Sequence, residues 1–99
     1  MWILKSNADV GVPRVTFRIP DGAIKTIGRA PRAEFVIDAA MVSRLHCRLT
    51  ASANGSLEVL DLSSTNGTFV NGRRVRRSAL AHGDRLKVGR VELIVERKP

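Results

Sequence analysis

Residues 61–72 read Asp-Leu-Ser-Ser-Thr-Asn-Gly-Thr-Phe-Val-Asn-Gly, a stretch that is polar at its centre and rich in glycine. Apolar residues typical of strands lie on both sides of that centre, at 57–62 and at 68–70. Asn71-Gly72 follows the second of these strands and is the strongest short hairpin signal in the chain. A tight hairpin beside a polar strand end predicts an antiparallel sheet that presents a loop for function.

The remainder of the chain also reads as short strands separated by turn signals, without a convincing amphipathic helix. Residues 14–19 alternate strictly, which places Val15, Phe17 and Ile19 on one face, and a Pro-Asp-Gly turn follows. About ten short strands at such close spacing are typical of an all-β antiparallel sandwich. We predict the further strands at 24–27, 35–37, 46–51, 85–88 and 91–96.

The size and composition of the chain fit a single domain, residues 1–99, with one small core. Hydrophobic residues make up 43% of the sequence, as in ordinary globular proteins, and only four side chains are aromatic. Valine, isoleucine and leucine must therefore fill the interior. The final Arg97-Lys98-Pro99 resembles a linker, so we expect a core at residues 2–96 that is one module of a longer protein. A complete small protein is the alternative.

The cysteine count and the apolar pattern restrict the cellular setting. Cys47 is the only cysteine, which excludes an internal disulfide and a Cys-based zinc site, and its place in an apolar alternation predicts a buried, inert thiol. No apolar run approaches the roughly 20 residues that a membrane span needs, and the first residues lack the pattern of a secretion signal. We therefore expect a reducing, cytoplasmic location and no membrane segment in this chain.

The charge balance predicts an anionic partner. Lysine and arginine total 17 against 9 acidic residues, a formal net charge of +8, and 13 of the 17 are arginine, whose fork of donors suits phosphate oxygens. Charge alone leaves nucleic acid, lipid headgroups and phosphoproteins open. The basic run 73–77 favours nucleic acid. Aromatic side chains for base stacking are scarce, however, and no recognition helix is predicted, so we expect no nucleic-acid partner.

Catalysis is not predicted, although Ser43 and His46 with Asp38 or Asp61 could suggest a hydrolase triad. The sequence has no Gly-x-Ser-x-Gly elbow and no Gly-x-x-x-x-Gly-Lys phosphate loop. Clusters of histidine and carboxylate residues that could bind a metal are missing as well. We therefore predict a domain that is not an enzyme and needs neither a metal nor a cofactor.

Four separated segments indicate a function only in combination, because each of them alone is a weak signal. They are Gly28-Arg29, Ser43-Arg44-Leu45-His46, Thr65-Asn66-Gly67-Thr68 and Asn71-Gly72. In this order and spacing they resemble the signature of forkhead-associated (FHA) domains, and Leu80-x-x-Gly83-Asp84 and residues 85–89 match that family's last strands. The resemblance covers residues 2–96. It implies an all-β sandwich of about eleven short, mostly antiparallel strands with binding loops at one end.

The resemblance also implies roles for individual residues. In this family the arginine of Gly-Arg and the serine of Ser-x-x-His are the phosphate ligands, which are Arg29 and Ser43 here. Arg44 would either add charge to the same pocket or remain a surface residue. Thr65 and Asn66 match the family's contacts with the peptide backbone. The residues with an implied structural role are Gly28 and Gly67, expected to adopt unusual backbone angles, His46, expected to brace the binding loops, and Asn71 and Gly72, expected to form the hairpin turn.

These residue types suit a doubly charged ligand. A phosphothreonine carries close to −2 charge at pH 7, and Arg29 can offer it two parallel donors while Ser43 adds a hydroxyl. The amide of Asn66 can donate and accept at once, as a grip on a peptide backbone requires. We therefore predict a phosphothreonine-dependent protein-binding module in Ser/Thr-kinase signalling. The alternatives are docking of an unphosphorylated partner and, with less support, a basic nucleic-acid-binding domain.

Two features concern ligand selection beyond the phosphothreonine. Some family members carry an arginine two residues before the serine, whereas this chain has Met41, so the resemblance does not imply selection of an acidic residue at the third following position. The four arginines of the run 73–77 either favour acidic residues in the ligand or form a solvated face.

Overall fold

The chain folds as a β-sandwich, and the computed structural model describes residues 1–7 and 13–99. Eleven strands within these ranges form two sheets, which confirms the predicted all-β fold. The strands are β1 (Trp2–Ser6), β2 (Thr16–Ile19), β3 (Ile24–Gly28), β4 (Phe35–Val36), β5 (Cys47–Ala51), β6 (Leu57–Asp61), β7 (Thr68–Val70), β8 (Arg73–Val75), β9 (Arg77–Leu80), β10 (Arg85–Val88) and β11 (Val91–Arg97). One sheet has the order β2-β1-β11-β10-β7-β8 and the other the order β4-β3-β5-β6-β9.

Alternating apolar side chains fill the space between the two sheets. In β11, Val91, Leu93 and Val95 are fully buried while the residues between them are half-buried. In the facing sheet, Leu49 of β5 and Val59 of β6 are also fully buried. The interior is thus built mainly from valine, leucine and isoleucine, as the composition predicts. Further fully buried members are Leu4, Ile19, Ile27, Ile37, Leu86 and Val88.

The predicted strands match the observed ones to within two residues at their ends, and two strands do not follow from the residue pattern. β2 begins at Thr16 and not at Arg14; just before it, the backbone N–H of Val15 donates to the Oγ of Ser6 at 2.8 Å, while the carbonyl of Val15 accepts from the N–H of Ser6 at 2.9 Å. β1 shows no alternation, since its first three residues are all buried. β9 is an edge strand of mostly polar and small residues. Nearly all pairings are antiparallel, and β3 with β4 is parallel.

Asn71 and Gly72 form the turn of the β7–β8 hairpin. Their φ values are +52° and +82°, both in the left-handed region that a type I′ turn requires. The hairpin pairs Thr68 with Val75 and Phe69 with Arg74. This register holds β8 beside the loop that precedes β7, the loop that contains the Thr-Asn-Gly segment.

The two ends of the sandwich differ. At one end the chain termini meet, and the backbone N–H of Lys98 donates to the carbonyl of Met1 at 2.8 Å. The guanidinium of Arg97 lies 5.7 Å from the ring centroid of Trp2 at this end, and the indole N–H donates to the turn between β5 and β6. The opposite end carries the loops 29–34, 37–46 and 62–67.

Three expectations concern features other than strands. Cys47 is fully buried, as predicted, and burial raises the pKa of its thiol to about 12. In residues 1–7 and 13–99, no three His, Cys, Asp or Glu side chains are grouped so as to hold a metal ion. The same part of the chain contains no helix with the length and apolar character to cross a membrane.

Candidate functional site

Three loops meet at one end of the sandwich, and backbone hydrogen bonds join the first two. The N–H of Arg29 donates to the carbonyl of Ser43 at 2.9 Å, and that of Ala30 donates to the carbonyl of Arg44 at 3.1 Å. The Nε of Arg29 donates to the carbonyl of Val42 at 3.1 Å, which holds the guanidinium against the second loop. Arg29 and Ser43, far apart in sequence, are therefore neighbours in the fold.

Gly28 allows these two loops to approach each other closely. A Cβ atom at Gly28 would overlap the carbonyl oxygen of Arg44 and lie 2.8 Å from its carbonyl carbon. The expectation of an unusual backbone angle is wrong for Gly28, whose φ is not in the left-handed region, and correct for Gly67, whose φ is +89°. Gly28 is required by the contact with Arg44 and not by its own conformation.

Two hydrogen bonds fix the third loop to the second. The N–H of Thr65 donates to the Oγ of Ser43 at 3.0 Å, and the Nδ2 of Asn66 donates to the carbonyl of Met41 at 3.1 Å. Met41 has a φ of +71°, which is uncommon for a residue with a side chain. The second loop thus bends sharply at the residue that Asn66 binds. The amide of Asn66 lies at the boundary between the two loops.

His46 lies beneath the loops as a fully buried side chain. Its Nδ1 accepts a hydrogen bond from the backbone N–H of Ser43 at 3.0 Å, so the ring proton resides on Nε2, which donates to the carbonyl of Gly67 at 2.8 Å. Burial lowers the pKa of His46, although the hydrogen bond to Gly67 and the charge of Asp61 act in the opposite direction. The neutral ring connects the second loop to the third, the position expected of a brace.

Asp61 organises the third loop from the end of β6. Its carboxylate accepts hydrogen bonds from the Oγ and N–H of Ser64 at 2.5 and 3.1 Å and from the Oγ1 of Thr68 at 2.7 Å. Burial opposes ionisation of Asp61, but these hydrogen bonds outweigh it and the pKa lies below its usual value. In the sequence, Asp61 stood out only as a possible member of a hydrolase triad. An aspartate three residues before a serine is a signal for a local turn that would have identified this role.

The three loops surround an open cleft of about 410 Å³. Arg29, Ser43, Thr65 and Asn66 line it, so the structure brings together four of the five residues for which the sequence predicts a ligand contact. Arg44, the fifth, is exposed and lies outside the lining. The other lining residues are Asp38, Ala39, Ala40, Met41 and Val42.

The described residues that line the cleft include one cation and one carboxylate. Arg29 is exposed, and among the described residues no carboxylate oxygen lies within 4.0 Å of its guanidinium. The guanidinium therefore remains available to an anion that enters the cleft. Asp38 is the acidic residue of the lining, which sequence reasoning did not assign to a binding site. Its charge favours a cationic group of the ligand on that side of the cleft.

The geometry does not form a catalytic serine–histidine pair. His46 contacts Ser43 through the backbone N–H, while the Oγ of Ser43 accepts from Thr65. A general base must reach the hydroxyl whose proton it removes, and both nitrogens of His46 are already engaged with backbone atoms. Neither nitrogen of His46 is therefore placed to take the proton of the Ser43 hydroxyl.

Comparison with known proteins connects this cleft to one family. The family model described as FHA domain matches residues 25–89, a range that contains every predicted site residue. The ABC transporter ATP-binding/permease protein Rv1747 of Mycobacterium tuberculosis is 41% identical over 81 residues, which is 82% of this chain and 9% of that protein. The glycogen accumulation regulator GarA of the same species is 36% identical over 74 residues, or 75% of this chain and 45% of GarA. The chain thus spans less than half the length of either relative.

Solved structures share the whole fold. A chain from a structural and functional analysis of phosphothreonine-dependent FHA domain interactions superposes with a TM-score of 0.86 at 33% identity, over 99% of this chain and 97% of that one. The FhaA FHA domain, solved in complex with the intracellular domain of Rv3910, superposes with a TM-score of 0.84 at 32% identity, over 97% of this chain and 100% of that one. The similarity therefore extends over nearly the whole chain.

Proposed function

We propose, because this chain belongs to the forkhead-associated (FHA) domain family, that it binds threonine-phosphorylated proteins and catalyses no reaction. The observation that carries the proposal is the convergence of Arg29, Ser43 and Asn66, from three different loops, on one open cleft. A similar domain was studied for phosphothreonine-dependent interactions, which supports the same ligand class here.

In this proposal the phosphate enters between the first two loops. Arg29 donates from its guanidinium, whose Nε already bonds to Val42 and so fixes the direction of the side chain. Ser43 donates its hydroxyl proton to a phosphate oxygen while its Oγ continues to accept from Thr65. A hydroxyl can do both at once, since it has one proton and two lone pairs. The phosphate thus completes a hydrogen-bond chain that is already in place.

The peptide backbone then crosses the third loop. Asn66 is held to the carbonyl of Met41, so its amide is oriented before the ligand arrives. Preorganised donors lose little conformational entropy on binding. Charge-assisted hydrogen bonds contribute on the order of 1.5–3 kcal/mol each, so two or three of them give about micromolar affinity after the costs of association. Arg44, outside the cleft lining, would contribute at most through its charge.

For the protein that contains this domain we propose a role in Ser/Thr-kinase signalling in a reducing, cytoplasmic compartment. The support is the family membership, together with a relative, GarA, that is named as a regulator. We propose no nucleic-acid partner, because the residues on which the proposal rests line a defined cleft.

The decisive experiment measures binding of one peptide in three forms: with threonine, with phosphothreonine, and with glutamate at that position. Isothermal titration should detect affinity for the phosphothreonine form alone. Equal affinity for all three forms would instead indicate phosphorylation-independent docking. Indifference to all three, together with DNA binding that falls steeply with salt, would indicate the nucleic-acid alternative that the charge of +8 leaves open.

A further inference from the structure

Four arginines follow the hairpin turn, and the structure separates one of them from the rest. β8 and β9 each lie at one edge of a sheet, so charged side chains here also discourage edge-to-edge association. Within β8 the side chains alternate, and Arg74 pairs with Phe69 on the outer face, whereas Arg73 pairs with Val70. Arg77 forms an ion pair with Glu58 at 3.3 Å.

Arg74 lies directly against the third loop of the binding end. A Cβ atom at Gly67 would lie 2.8 Å from the Nε of Arg74, 3.1 Å from its Cζ and 3.3 Å from its Cδ. The guanidinium therefore covers the backbone of Gly67, the residue that follows Asn66. Gly67 is in turn fixed from below, because its carbonyl accepts a hydrogen bond from His46. The guanidinium of Arg74, from β8, thus lies against the residue that follows Asn66 in the third loop.

The charge of Arg74 has no acidic partner in the described part of the chain. No carboxylate oxygen there lies within 4.0 Å of its guanidinium, and the side chain is exposed. A structural arginine would be expected to bond to a carboxylate or a carbonyl, and no such hydrogen bond is present among these residues. The group is positioned by its contact with Gly67, and its donors have no acceptor within the described residues.

We propose that Arg74 selects a ligand carboxylate, from Asp or Glu, close in sequence to the phosphothreonine. The inference rests on the proposed function, since Arg74 adjoins the loop over which the peptide would pass. A planar guanidinium matches a carboxylate with two parallel donors, and both groups would be solvent-exposed. An exposed pair of this kind changes affinity by about two- to fivefold.

The test is a peptide scan with two variants of the domain. A phosphothreonine peptide with otherwise neutral residues receives Glu or Gln, one position at a time, from three residues before to four residues after the phosphothreonine. The parent domain should bind the Glu form about two- to fivefold more tightly at one or two positions. Arg74→Met retains the aliphatic cover over Gly67 and should abolish that preference, whereas Arg74→Lys, which keeps the charge, should retain part of it.

Arg73→Met is the matched control, with the same charge change on the same strand but the opposite face, and it should keep the preference. Absence of a Glu preference in the parent domain, or its survival in Arg74→Met, would overturn the inference while leaving phosphothreonine binding established. Equal weakening of all phosphopeptides by Arg74→Met would assign Arg74 to loop support and also overturn it. If the parent domain binds no phosphopeptide at all, the proposed function is wrong, and the proposed selection of a carboxylate by Arg74 is wrong with it.

Discussion

The Nδ1 of His46 accepts a hydrogen bond from the backbone N–H of Ser43 at 3.0 Å, so a fully buried ring supports a residue that lines the open cleft. The same ring bonds through Nε2 to the carbonyl of Gly67 at 2.8 Å. One neutral side chain therefore sets the separation of two loops. Protonation would place an N–H against the N–H of Ser43, which replaces an attraction by a repulsion.

We expect the free energy of unfolding to decrease as the pH decreases, because His46 becomes protonated. Its pKa in the fold lies below the ordinary 6.5, so the unfolded chain binds the proton first. Stability is therefore fully present above about pH 6.5 and is lost as the pH falls toward the folded pKa. Thermal unfolding measured between pH 8 and pH 5 should show this loss, together with weaker phosphopeptide binding.

His46→Gln should lower the melting temperature at pH 8, since removal of a buried bridging group costs about 1–3 kcal/mol. The variant should also lose the pH dependence above pH 5. A separate loss of stability at more acidic pH should remain, because it comes from Asp61. The ionised carboxylate stabilises the fold above pH 3.8, and this contribution is lost as the pH falls through the lower pKa that Asp61 has in the fold. An unchanged melting temperature would contradict the bracing role.

Arg29→Ala should reduce phosphothreonine-peptide affinity by at least about tenfold, because it removes the charged donor of the cleft. The side chain is exposed, so the melting temperature should stay within a few degrees of the parent. Isothermal titration and thermal unfolding measure the two effects. Arg32→Ala, on the same loop but outside the cleft lining, serves as the control and should bind normally. Retained affinity in Arg29→Ala would refute the phosphate site.

Ser43→Ala should weaken phosphopeptide binding by about 1–3 kcal/mol, since a charge-assisted donor is lost. The N–H of Thr65 also loses its acceptor, so the third loop should become more mobile. Amide hydrogen exchange at Thr65 would detect this directly. Ser78→Ala is the matched control, because among the described residues the Ser78 hydroxyl bonds to the neighbouring Ala79 carbonyl alone. Titration curves identical to the parent would remove Ser43 from the site.

Gly28→Ala should destabilise the domain by about 1–3 kcal/mol or more, because the added methyl overlaps the carbonyl of Arg44. The second loop must move to relieve the overlap, so affinity should fall together with stability. Gly22→Ala is strained by a φ of +84° but lies at the end near the chain termini. It should lose stability without losing affinity. A Gly28→Ala domain that binds normally would show that the loop contact can relax.

The elements with a clear local pattern could be predicted from the sequence. Thr68–Val70 and Arg85–Val88 have the predicted bounds, and the Asn71-Gly72 turn adopts the φ angles that its residues favour. β1 could not be predicted by alternation, because neighbouring structure covers Ile3 on the outer face of its sheet. β9 lacks a pattern because an edge strand is only partly buried.

The residues of the candidate site could be predicted from the family resemblance. The contacts that hold these residues in place could not be predicted from the sequence. No local sequence pattern indicates that the amide of Asn66 donates to the carbonyl of Met41, or that Arg74 covers Gly67. Both contacts depend on how distant strands pair. The glycine at 28 could be recognised as special, but its reason, contact with a loop many residues later, is a property of the tertiary fold.

The pairing of Trp2 with Arg97 has a consequence for how the domain can be used. The first strand begins and the last strand ends at the end of the sandwich opposite the cleft. A polypeptide fused to either terminus therefore leaves the domain on the side away from the cleft. Such a fusion acts as a tether that sets the effective concentration of the module near its target and leaves entry to the cleft unobstructed. A fluorophore or an immobilising tag attached at either terminus would accordingly lie away from the cleft.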